Sequence, residues 1–344
     1  MGVRATKRTV IVLGGFSLLF AAACGGSSDE PTASGTGSAA APTASAPSAS
    51  TSSATAATPT ALTSHAGTWW HPLATGRNNG PEFQWELDHP LNVRSVRDMG
   101  GGALNAARRI TPNPTLYDID GIENPAPTVT ALHRLGDKVI CYIEVGAAGN
   151  YYPAAQEGIP VTYYAELAAA GELGSKVPGY PERYLNINAP RAVSIVESMI
   201  RQQCAAKGFD AVEPDIDDSY ADRTGFTITE QEAERYDKAL SAYAHGLGLA
   251  WGQKNGDNDP AFSKALETTT DFLLTEECNF YRTCGIVTSP YVRARKLVLD
   301  AEYTGDWGSD TARGLGRFCA ADVAGGMDGT LFTSALAGQR NPCR

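Results

Sequence analysis

The chain has 344 residues, a formal net charge of -10 and a hydrophobic fraction of 42%. The negative charge disfavours a polyanionic partner such as nucleic acid and favours a cationic or neutral one. The length is sufficient for one large domain, for which we expect a monomer.

The first residues predict export rather than a part of the fold. A basic start precedes an apolar run at 10–20, which is too short to span a membrane stably. The run ends in three alanines and Cys24, which resembles the lipobox of bacterial lipoproteins, in which the thiol is acylated. We therefore predict a signal peptide at 1–23, lipidation of Cys24 and an extracytoplasmic protein that contacts the membrane only through this lipid. An ordinary cleaved signal peptide, giving a secreted protein, is the alternative.

The next segment, 24–67, consists mainly of Ser, Thr, Ala, Pro and Gly. Such a composition buries too little apolar surface to offset the entropy of ordering the chain. The sequence therefore predicts a disordered tether at 24–67 and a folded domain at 68–344.

Six cysteines follow Cys24: Cys141, Cys204, Cys278, Cys284, Cys319 and Cys343. An even number in an exported chain suggests disulfides. Cys278 and Cys284 are close enough to close a small loop, and Cys319 with Cys343 would tie down the C-terminus. Cys141 lies in an apolar strand and is a candidate free thiol. Because no pair has C-x-x-C spacing and no histidine cluster accompanies them, we predict no metal site and no cofactor.

Short apolar runs alternate with segments of helical period through the domain. Helices are predicted at positions such as 192–207 and 229–245, the second with a Thr229–Glu232 capping box. The predicted strands cover 83–87, 116–119, 138–143, 184–187, 209–212, 247–252, 272–275 and 297–301. Eight strands alternating with helices over about 250 residues indicate an α/β fold, a single-domain (β/α)8 barrel of the TIM type. An open doubly wound sheet is disfavoured because no glycine-rich phosphate loop follows the first strand.

Polar side chains follow these strands at the end where such barrels carry their chemistry. In strand order they are Asp118 and Asp120, Tyr142 and Glu144, Glu213 and Asp215, Lys254 and Asn255, Glu276 and Glu277, then Glu302 and Tyr303. Asp217 and Asp218 add further acids after the predicted fifth strand. A calcium loop starting at Asp215 fails because Tyr220 and Phe226 stand where Gly and Glu are required. So many carboxylates on one face predict a catalytic or binding rim.

Paired carboxylates without a metal motif or an activated serine favour glycoside hydrolysis. One acid protonates the departing oxygen while the other attacks the anomeric carbon or activates water. Aromatic side chains would stack on sugar rings, and the candidates are Trp69, Trp70, Tyr151, Tyr152, Tyr220, Tyr281, Tyr303 and Trp307.

Several short motifs occur together in the order expected for one glycosidase family. They are Tyr117–Asp120, Val139–Tyr142, Val212–Asp215, Thr224–Phe226, Lys254-Asn255, Glu276-x-Cys278 and Glu302-Tyr303. Together they resemble the endo-α-1,4-polygalactosaminidase family, glycoside hydrolase family 114, over about 85–343. The resemblance implies a TIM-type barrel that hydrolyses α-1,4-linked galactosamine polymers, with a catalytic pair at Asp215 and Glu276. The cleft would be lined by Asp118, Asp120, Lys254, Asn255, Glu302 and Tyr303, to which the predicted rim adds Tyr142, Glu144, Glu213, Asp218 and Tyr220.

The chain departs from the family pattern beside the presumed catalytic acids. Ile216, Asp217 and Ser219 replace Asn, Val and Gly, and Thr275 replaces the Asn before the second acid. Glu144 stands where Ser is common. The extra acids Glu144 and Asp217 predict a preference for a deacetylated, cationic sugar by Coulomb attraction.

For the mechanism, we predict Asp215 as nucleophile or electrostatic stabiliser and Glu276 as general acid/base. Burial or a neighbouring acid such as Glu277 should raise the pKa of Glu276. We favour retention of the anomeric configuration. The alternative function is a non-catalytic surface lipoprotein that binds polysaccharide with the same barrel.

Overall fold

The structure is a computed structural model that describes residues 68–74, 82–103, 114–256, 259–306 and 311–343. The predicted signal peptide, Cys24, the predicted tether and Trp307 lie outside these residues. Within the described ranges, no helix combines the length and the apolarity needed to cross a bilayer.

The strands of the described residues are β1 (Phe83–Glu86), β2 (Gly102–Ala103), β3 (Leu116–Asp120), β4 (Lys138–Glu144), β5 (Ala147–Ala148), β6 (Leu173–Lys176), β7 (Arg183–Leu185), β8 (Ala211–Asp215), β9 (Ala250–Lys254), β10 (Phe272–Glu276), β11 (Leu297–Tyr303), β12 (Asp328–Phe332) and β13 (Gln339–Pro342). The α-helices are α1 (Ala126–Leu135), α2 (Ala154–Glu157), α3 (Tyr163–Ala170), α4 (Pro190–Met199), α5 (Glu230–Gly246), α6 (Pro260–Glu267), α7 (Cys278–Tyr281), α8 (Cys284–Val287), α9 (Ser289–Ala294) and α10 (Thr311–Gly325). Helix α4 continues as a π-helical turn (Ile200–Cys204) and a 3-10 turn (Ala205–Lys207).

Among the described strands, eight form a parallel barrel sheet in chain order. The order is β1-β3-β4-β8-β9-β10-β11-β12, and each neighbouring pair is parallel. From β3 onward a helix lies between each pair of successive barrel strands: α1, α4, α5, α6, α9 and α10. The predicted (β/α)8 TIM-type barrel is therefore confirmed. The predicted capping box at the start of α5 is also present.

The antiparallel strand β13 lies between β12 and β1 and nearly closes the barrel. It pairs with β12, and Ala337, just before it, forms a bridge with Glu86 at the end of β1. The buried Arg340 of β13 donates to the carbonyl oxygen of Phe83 at 3.4 Å and pairs with Glu82 at 3.1 Å. Among the described residues the sheet therefore has ten strands: the eight parallel barrel strands, β13 antiparallel to β12, and the short β2, which pairs in parallel with β13.

One predicted barrel strand was wrong and one real strand was missed. The segment 184–187 contributes to β7, which pairs antiparallel with β5 and β6 in a small separate sheet after β4. The eighth barrel strand is instead β12, whose sequence Asp-Gly-Thr-Leu-Phe lacks the apolar run used to predict strands. Asp215 and Glu276 consequently end the fourth and sixth barrel strands, not the fifth and seventh.

Side chains alternate along each strand between the barrel interior and its outer wall. On β8, Ala211 belongs to the apolar cluster inside the barrel, whereas Val212 packs outward against the helices. The interior cluster also contains Phe83, Leu116, Ile140, Ala250, Phe272, Leu274, Leu297 and Leu299. By the same alternation, Glu213 and Asp215 face inward above Ala211. The apolar cluster therefore fills the lower barrel and leaves its upper end to polar groups.

Three disulfides join the six cysteines of the domain. Cys278–Cys284 and Cys319–Cys343 confirm the two predicted pairs. The prediction of a free Cys141 was wrong, because Cys141 is bonded to Cys204. Cys141 is on the outward face of β4, where it meets the residues that continue α4. Because alternation along β4 turns Cys141 outward, it meets Cys204, which is 63 positions later in the sequence.

The segment at 68–74 packs against the N-terminal end of the barrel. Trp69 stacks on His245 with ring centroids 4.0 Å apart and donates its indole N–H to Asp271 at 3.0 Å. Trp70 lies under the ammonium of Lys138, 5.9 Å from the ring centroid. Asp271 and Lys138 stand at the starts of strands, so both tryptophans lie opposite the predicted rim. They are therefore not placed to stack on a sugar there.

Candidate active site

The ammonium of Lys254 is the centre of the polar upper end of the barrel. Its Nζ lies 2.8 Å from Glu213 Oε1, 3.0 Å from Asp215 Oδ1 and 3.1 Å from Glu276 Oε2. The indole ring of Trp85 lies 4.9 Å from Nζ. Burial alone would lower the pKa of Lys254, but Asp215, Glu213 and Glu276 raise it well above its ordinary value. The lysine therefore stays protonated and holds three acids from two other strands around one charge.

Asp215 is bonded through both of its carboxylate oxygens. Lys254 contacts Oδ1, and the hydroxyl of Tyr142 donates to Oδ2 at 2.6 Å. The carboxylate is 1% exposed. Two donors on a buried carboxylate fix its orientation, as attack by a positioned nucleophile requires.

Glu276 has a different environment, although it shares Lys254. The hydroxyl of Tyr303 donates to its Oε1, and the side chain of Asn255 accepts a hydrogen bond from its backbone N–H at 2.8 Å. Burial raises the pKa of Glu276, opposed by Lys254 and reinforced by the charge of Asp215. A raised pKa suits a general acid. The neighbouring acid that matters here is Asp215, whereas we had predicted Glu277.

Asp118 and Glu213 form a second acidic pair below the first. Both side chains are 0% exposed. Burial, followed by the charge of Glu213 and a hydrogen bond to it, raises the pKa of Asp118 well above its usual range. Burial also raises the pKa of Glu213, opposed by Lys254. Asp118 is thus the protonated partner that donates to Glu213, and the pair supports Lys254 from below rather than lining the open cleft.

The loops after β8 and β9 are joined by the two aspartates that follow Asp215. Asp217 accepts the backbone N–H of Lys254 at 3.0 Å, and Asp218 accepts that of Gly256 at 3.0 Å. These bonds fix the backbone on either side of Asn255, which adopts a left-handed conformation with φ of 50°. Asp218 and Asn255 were predicted to bind substrate, and in the structure each holds a loop of the rim in place. Asp217, predicted to attract a cationic sugar, is 1% exposed and performs the same task.

A second polar group lies on the β3–β4 side of the rim. Tyr151 donates to Glu144, and Tyr152 donates to Asp120. Asp120 also accepts the backbone N–H groups of Ile122 and Glu123 at 2.8 and 2.7 Å. Tyr142, Glu144 and Tyr152 line an open pocket together with Ile122, Tyr163 and Met199. The rim therefore continues from Asp215, through Tyr142, into an acid- and tyrosine-lined pocket.

Two residues predicted to bind substrate lie away from the barrel interior. Glu302 is an outward-facing residue of β11 that accepts the backbone N–H groups of Asn279 and Phe280 at 2.7 and 3.4 Å. Tyr220 packs against Phe262 of α6 with ring centroids 5.0 Å apart. Side chains alternate along β11, so the inward direction of Tyr303 requires that its neighbour Glu302 point outward.

Sequence reasoning named only one member, Tyr281, of an aromatic pair on the loop after β10. Phe280 and Tyr281 pack edge to face with centroids 5.0 Å apart and are 40% and 38% exposed. They lie within the loop closed by Cys278–Cys284, which starts two residues after Glu276. Tyr281 was among the predicted stacking residues, whereas Phe280 was not. The predicted Cys278–Cys284 disulfide directly after Glu276 could have indicated that the residues between the two cysteines, Phe280 included, lie beside the active site.

Comparisons with known proteins agree with this architecture. The family model described as glycoside-hydrolase family GH114 matches residues 59–344, so the match begins inside the predicted tether. The crystal structure of Aspergillus fumigatus Ega3 in complex with galactosamine is similar at a TM-score of 0.64 and 22% identity, covering 80% of this chain and 98% of that one. The glycoside hydrolase domain of PelA from Pseudomonas aeruginosa is similar at a TM-score of 0.52 and 13% identity, covering 75% and 96%. No curated protein sequence was found to match. The chain belongs to glycoside hydrolase family GH114 and is a glycosidase.

Proposed function

We propose that the protein hydrolyses α-1,4-linked polymers of galactosamine or N-acetylgalactosamine, with Asp215 as nucleophile and Glu276 as general acid/base. The observation that carries the proposal is the placement of both carboxylates on the one ammonium of Lys254. Family membership and the similarity to a structure that contains galactosamine support the choice of sugar.

The contacts with Lys254 also favour retention of configuration. Nζ lies 3.0 Å from Asp215 Oδ1 and 3.1 Å from Glu276 Oε2, so these two oxygens are at most about 6 Å apart. Retaining enzymes separate the two carboxyl groups by about 5–5.5 Å, and inverting ones by about 6.5–9.5 Å to admit a water. A direct attack by Asp215 on the anomeric carbon therefore fits better than attack by an activated water.

The two environments divide the chemical steps. Glu276, held protonated by its raised pKa, gives its proton to the glycosidic oxygen while Asp215 forms a bond to the anomeric carbon. Glu276, now ionised, takes a proton from water, which attacks the anomeric carbon and releases Asp215. Lys254 and Tyr142 hold the Asp215 carboxylate in place through their hydrogen bonds to its two oxygens.

The preference for deacetylated sugar now rests on Glu144 and not on Asp217. Glu144 lines the pocket beside Tyr142, whereas Asp217 is bonded to the backbone beneath the rim. The ammonium of a deacetylated galactosamine residue entering this pocket would approach Glu144 and the hydroxyl groups of Tyr151 and Tyr152. The test is the ratio of kcat/KM on deacetylated and acetylated polymer, which Glu144→Gln should reduce.

We further propose that the chain is exported and anchored through Cys24. The three disulfides are typical of proteins in oxidising compartments. Residues 68–74, where the chain enters the barrel, lie at the end opposite the rim, so the point of attachment leaves the active site uncovered. Labelling with a fatty-acid analogue, compared with Cys24→Ala, tests the lipid.

The catalytic proposal is tested by reducing-end release from an α-1,4-galactosamine polymer. The parent, Asp215→Asn and Glu276→Gln are compared with Asp210→Asn, a control at the opposite end of the barrel. We expect release by the parent and the control and a loss of about 100- to 10,000-fold in the two variants. Full activity of either catalytic variant would contradict the assignment. Binding without cleavage by the parent would favour the lectin alternative.

A further inference from the structure

We propose that Glu86, His89 and Asp98 form a binding site for a divalent transition-metal ion such as Zn²⁺ on the outer wall of the barrel. The site lies beyond the proposed hydrolase function and shares none of its catalytic residues. It would fasten the end of β1 to the turn at Arg97–Gly101, where β13 closes the sheet.

Strand alternation separates this site from the catalytic residues. Trp85 faces inward and lies against Lys254, so Glu86, the last residue of β1, faces outward. His89 follows three positions later, and Asp98 belongs to the turn that packs beside β1. The turn at Arg97–Gly101 brings Asp98 back to Glu86 and His89, and this local group was not singled out in the sequence analysis, where the histidines were considered as scattered.

The distances suit a small cation. Glu86 Oε1 lies 3.2 Å from His89 Nδ1, and His89 Nε2 lies 3.4 Å from Asp98 Oδ2. One ligand atom from each residue can be chosen so that all three lie within 4.8 Å of one another. Ligand atoms around tetrahedral Zn²⁺, with bonds of about 2.0–2.2 Å, are roughly 3.3 Å apart. Because Nδ1 faces Glu86 and Nε2 faces Asp98, the imidazole must turn so that one of its nitrogens and both carboxylates converge on the ion.

Glu86 supplies the independent reason to expect a cation. Its side chain is 0% exposed, and among the described residues neither carboxylate oxygen accepts a hydrogen bond. Its Oε2 faces Gly338, where a Cβ would come within 2.7 Å of it. A buried carboxylate without hydrogen-bond donors is costly unless it takes up a proton or a cation compensates it. The imidazole Nδ1 of His89 lies 3.2 Å from Glu86 Oε1.

The other two residues have the support expected of ligands. Asp98 is oriented by the hydroxyl of Ser95 at 2.8 Å and the backbone N–H of Asn92 at 3.0 Å. Such outer hydrogen bonds commonly orient metal-binding carboxylates. The side chain of His89 is 40% exposed, which gives an ion a path from solvent. An imidazole with two carboxylates suits Zn²⁺ or Mn²⁺ better than Ca²⁺ or Mg²⁺, which prefer oxygen ligands alone.

The test uses the full chain, stripped with EDTA and titrated with Zn²⁺ in a calorimeter. Thermal unfolding is followed with and without the ion, and Co²⁺ is added as a spectroscopic substitute. The variants are His89→Ala and Glu86→Gln, the second isosteric so that the fold is retained. The matched control is His133→Ala, which removes a similarly exposed histidine that pairs with Asp210.

We expect the parent and His133→Ala to bind one equivalent of Zn²⁺ with a rise in Tm. Both site variants should bind at least about tenfold more weakly and lose that rise. Co²⁺ should give ligand-field absorption that His89→Ala abolishes. An absence of saturable binding by the parent would overturn the proposal and leave His89 as a protonated partner of the acids. Equal binding by parent and variants, or stabilisation by Ca²⁺ that is independent of His89, would overturn it as well.

Discussion

Asp271 at the N-terminal end of the barrel and the acids at the C-terminal end differ in their supply of hydrogen-bond donors. At the N-terminal end, Asp271 accepts from Trp69, from His245 at 2.7 Å and from the backbone N–H of Trp251 at 2.9 Å. Although burial alone would raise it, these hydrogen bonds lower the pKa of Asp271 below its ordinary value. At the C-terminal end, one lysine serves three acids, and burial raises the pKa of Glu213 and Glu276. A buried carboxylate with several hydrogen-bond donors contributes to the stability of the fold. A buried carboxyl group with few donors has a raised pKa and keeps a proton that it can give to a substrate.

The largest expected effect comes from Lys254→Met compared with Lys138→Met. The first change leaves Asp215, Glu213 and Glu276 facing one another without a cation. We expect activity to fall about 100- to 1,000-fold and the free energy of unfolding to fall by about 3–5 kcal/mol. The side chain of Lys138 is 45% exposed. Lys138→Met should therefore lower the free energy of unfolding by less than about 1 kcal/mol and leave activity unchanged. Reducing-end kinetics measure the activity and urea unfolding measures the stability of the two variants. Similar losses for Lys254→Met and Lys138→Met would contradict the proposed difference between the two ends of the barrel.

The next largest effect is the difference in stability loss between Asp271→Asn and Asp118→Asn, since we expect the first carboxylate to be charged and the second to be neutral. Asp271→Asn replaces one accepting oxygen with an amide N–H₂ group, which then faces the N–H groups that donate to Asp271. The free energy of unfolding should fall by about 1–3 kcal/mol because these hydrogen bonds are lost. Asp118→Asn should cost less than about 1 kcal/mol, because Asp118 is already the protonated donor to Glu213 and an amide can donate likewise. Urea unfolding of both variants provides the measurement. A larger loss for Asp118→Asn would mean that Asp118 is ionised.

The pH dependence of stability should reflect the raised pKa values at the rim. Burial, followed by a hydrogen bond and the charge of Asp306, raises the pKa of Glu277 from 4.5 to about 10. Between these values the folded chain keeps a proton that the unfolded chain has released, so stability is lost as pH rises. The slope per such group is at most about 1.4 kcal/mol per pH unit. Urea midpoints measured from about pH 5 to about pH 9 should fall, and Glu277→Gln should make the decline shallower. An unchanged slope in the variant would contradict the assignment.

The smallest effect concerns backbone strain at the rim. Ile216, directly after Asp215, has φ of 62°, a left-handed conformation that a β-branched residue rarely adopts. Its side chain packs with Val177 and Tyr184. Ile216→Asn should relieve about 1–2 kcal/mol of strain and lose about 1.5–3 kcal/mol of apolar burial, for a net loss below about 2 kcal/mol. Urea unfolding measures the difference, and a loss above about 3 kcal/mol would show that the conformation is not strained.

Much of the rim was predictable because strand-end acids are local in sequence. Asp215, Lys254 and Glu276 each follow a recognisable apolar strand, so their meeting at one end follows from the barrel. The numbering of the strands was wrong because β7 has an apolar sequence but pairs elsewhere, whereas β12 is a strand through its pairing with β11.

The finer roles depended on side-chain direction, which the sequence leaves open without a register. Period 2 assigns Tyr303 inward and Glu302 outward, and places Asp118 and Glu213 one layer below the catalytic pair. The Cys141–Cys204 bond likewise required the contact between β4 and the continuation of α4. Asp217 and Asp218 bond to backbone N–H groups that only the folded loops bring near them.

The measurement that tests the account most directly is the anomeric configuration of the first product, followed by proton NMR before mutarotation. Asp215 and Glu276, held by Lys254 with facing oxygens at most about 6 Å apart, predict retention, so the α anomer should appear first. Initial release of the β anomer would require an attacking water between the carboxylates and would contradict Asp215 as nucleophile.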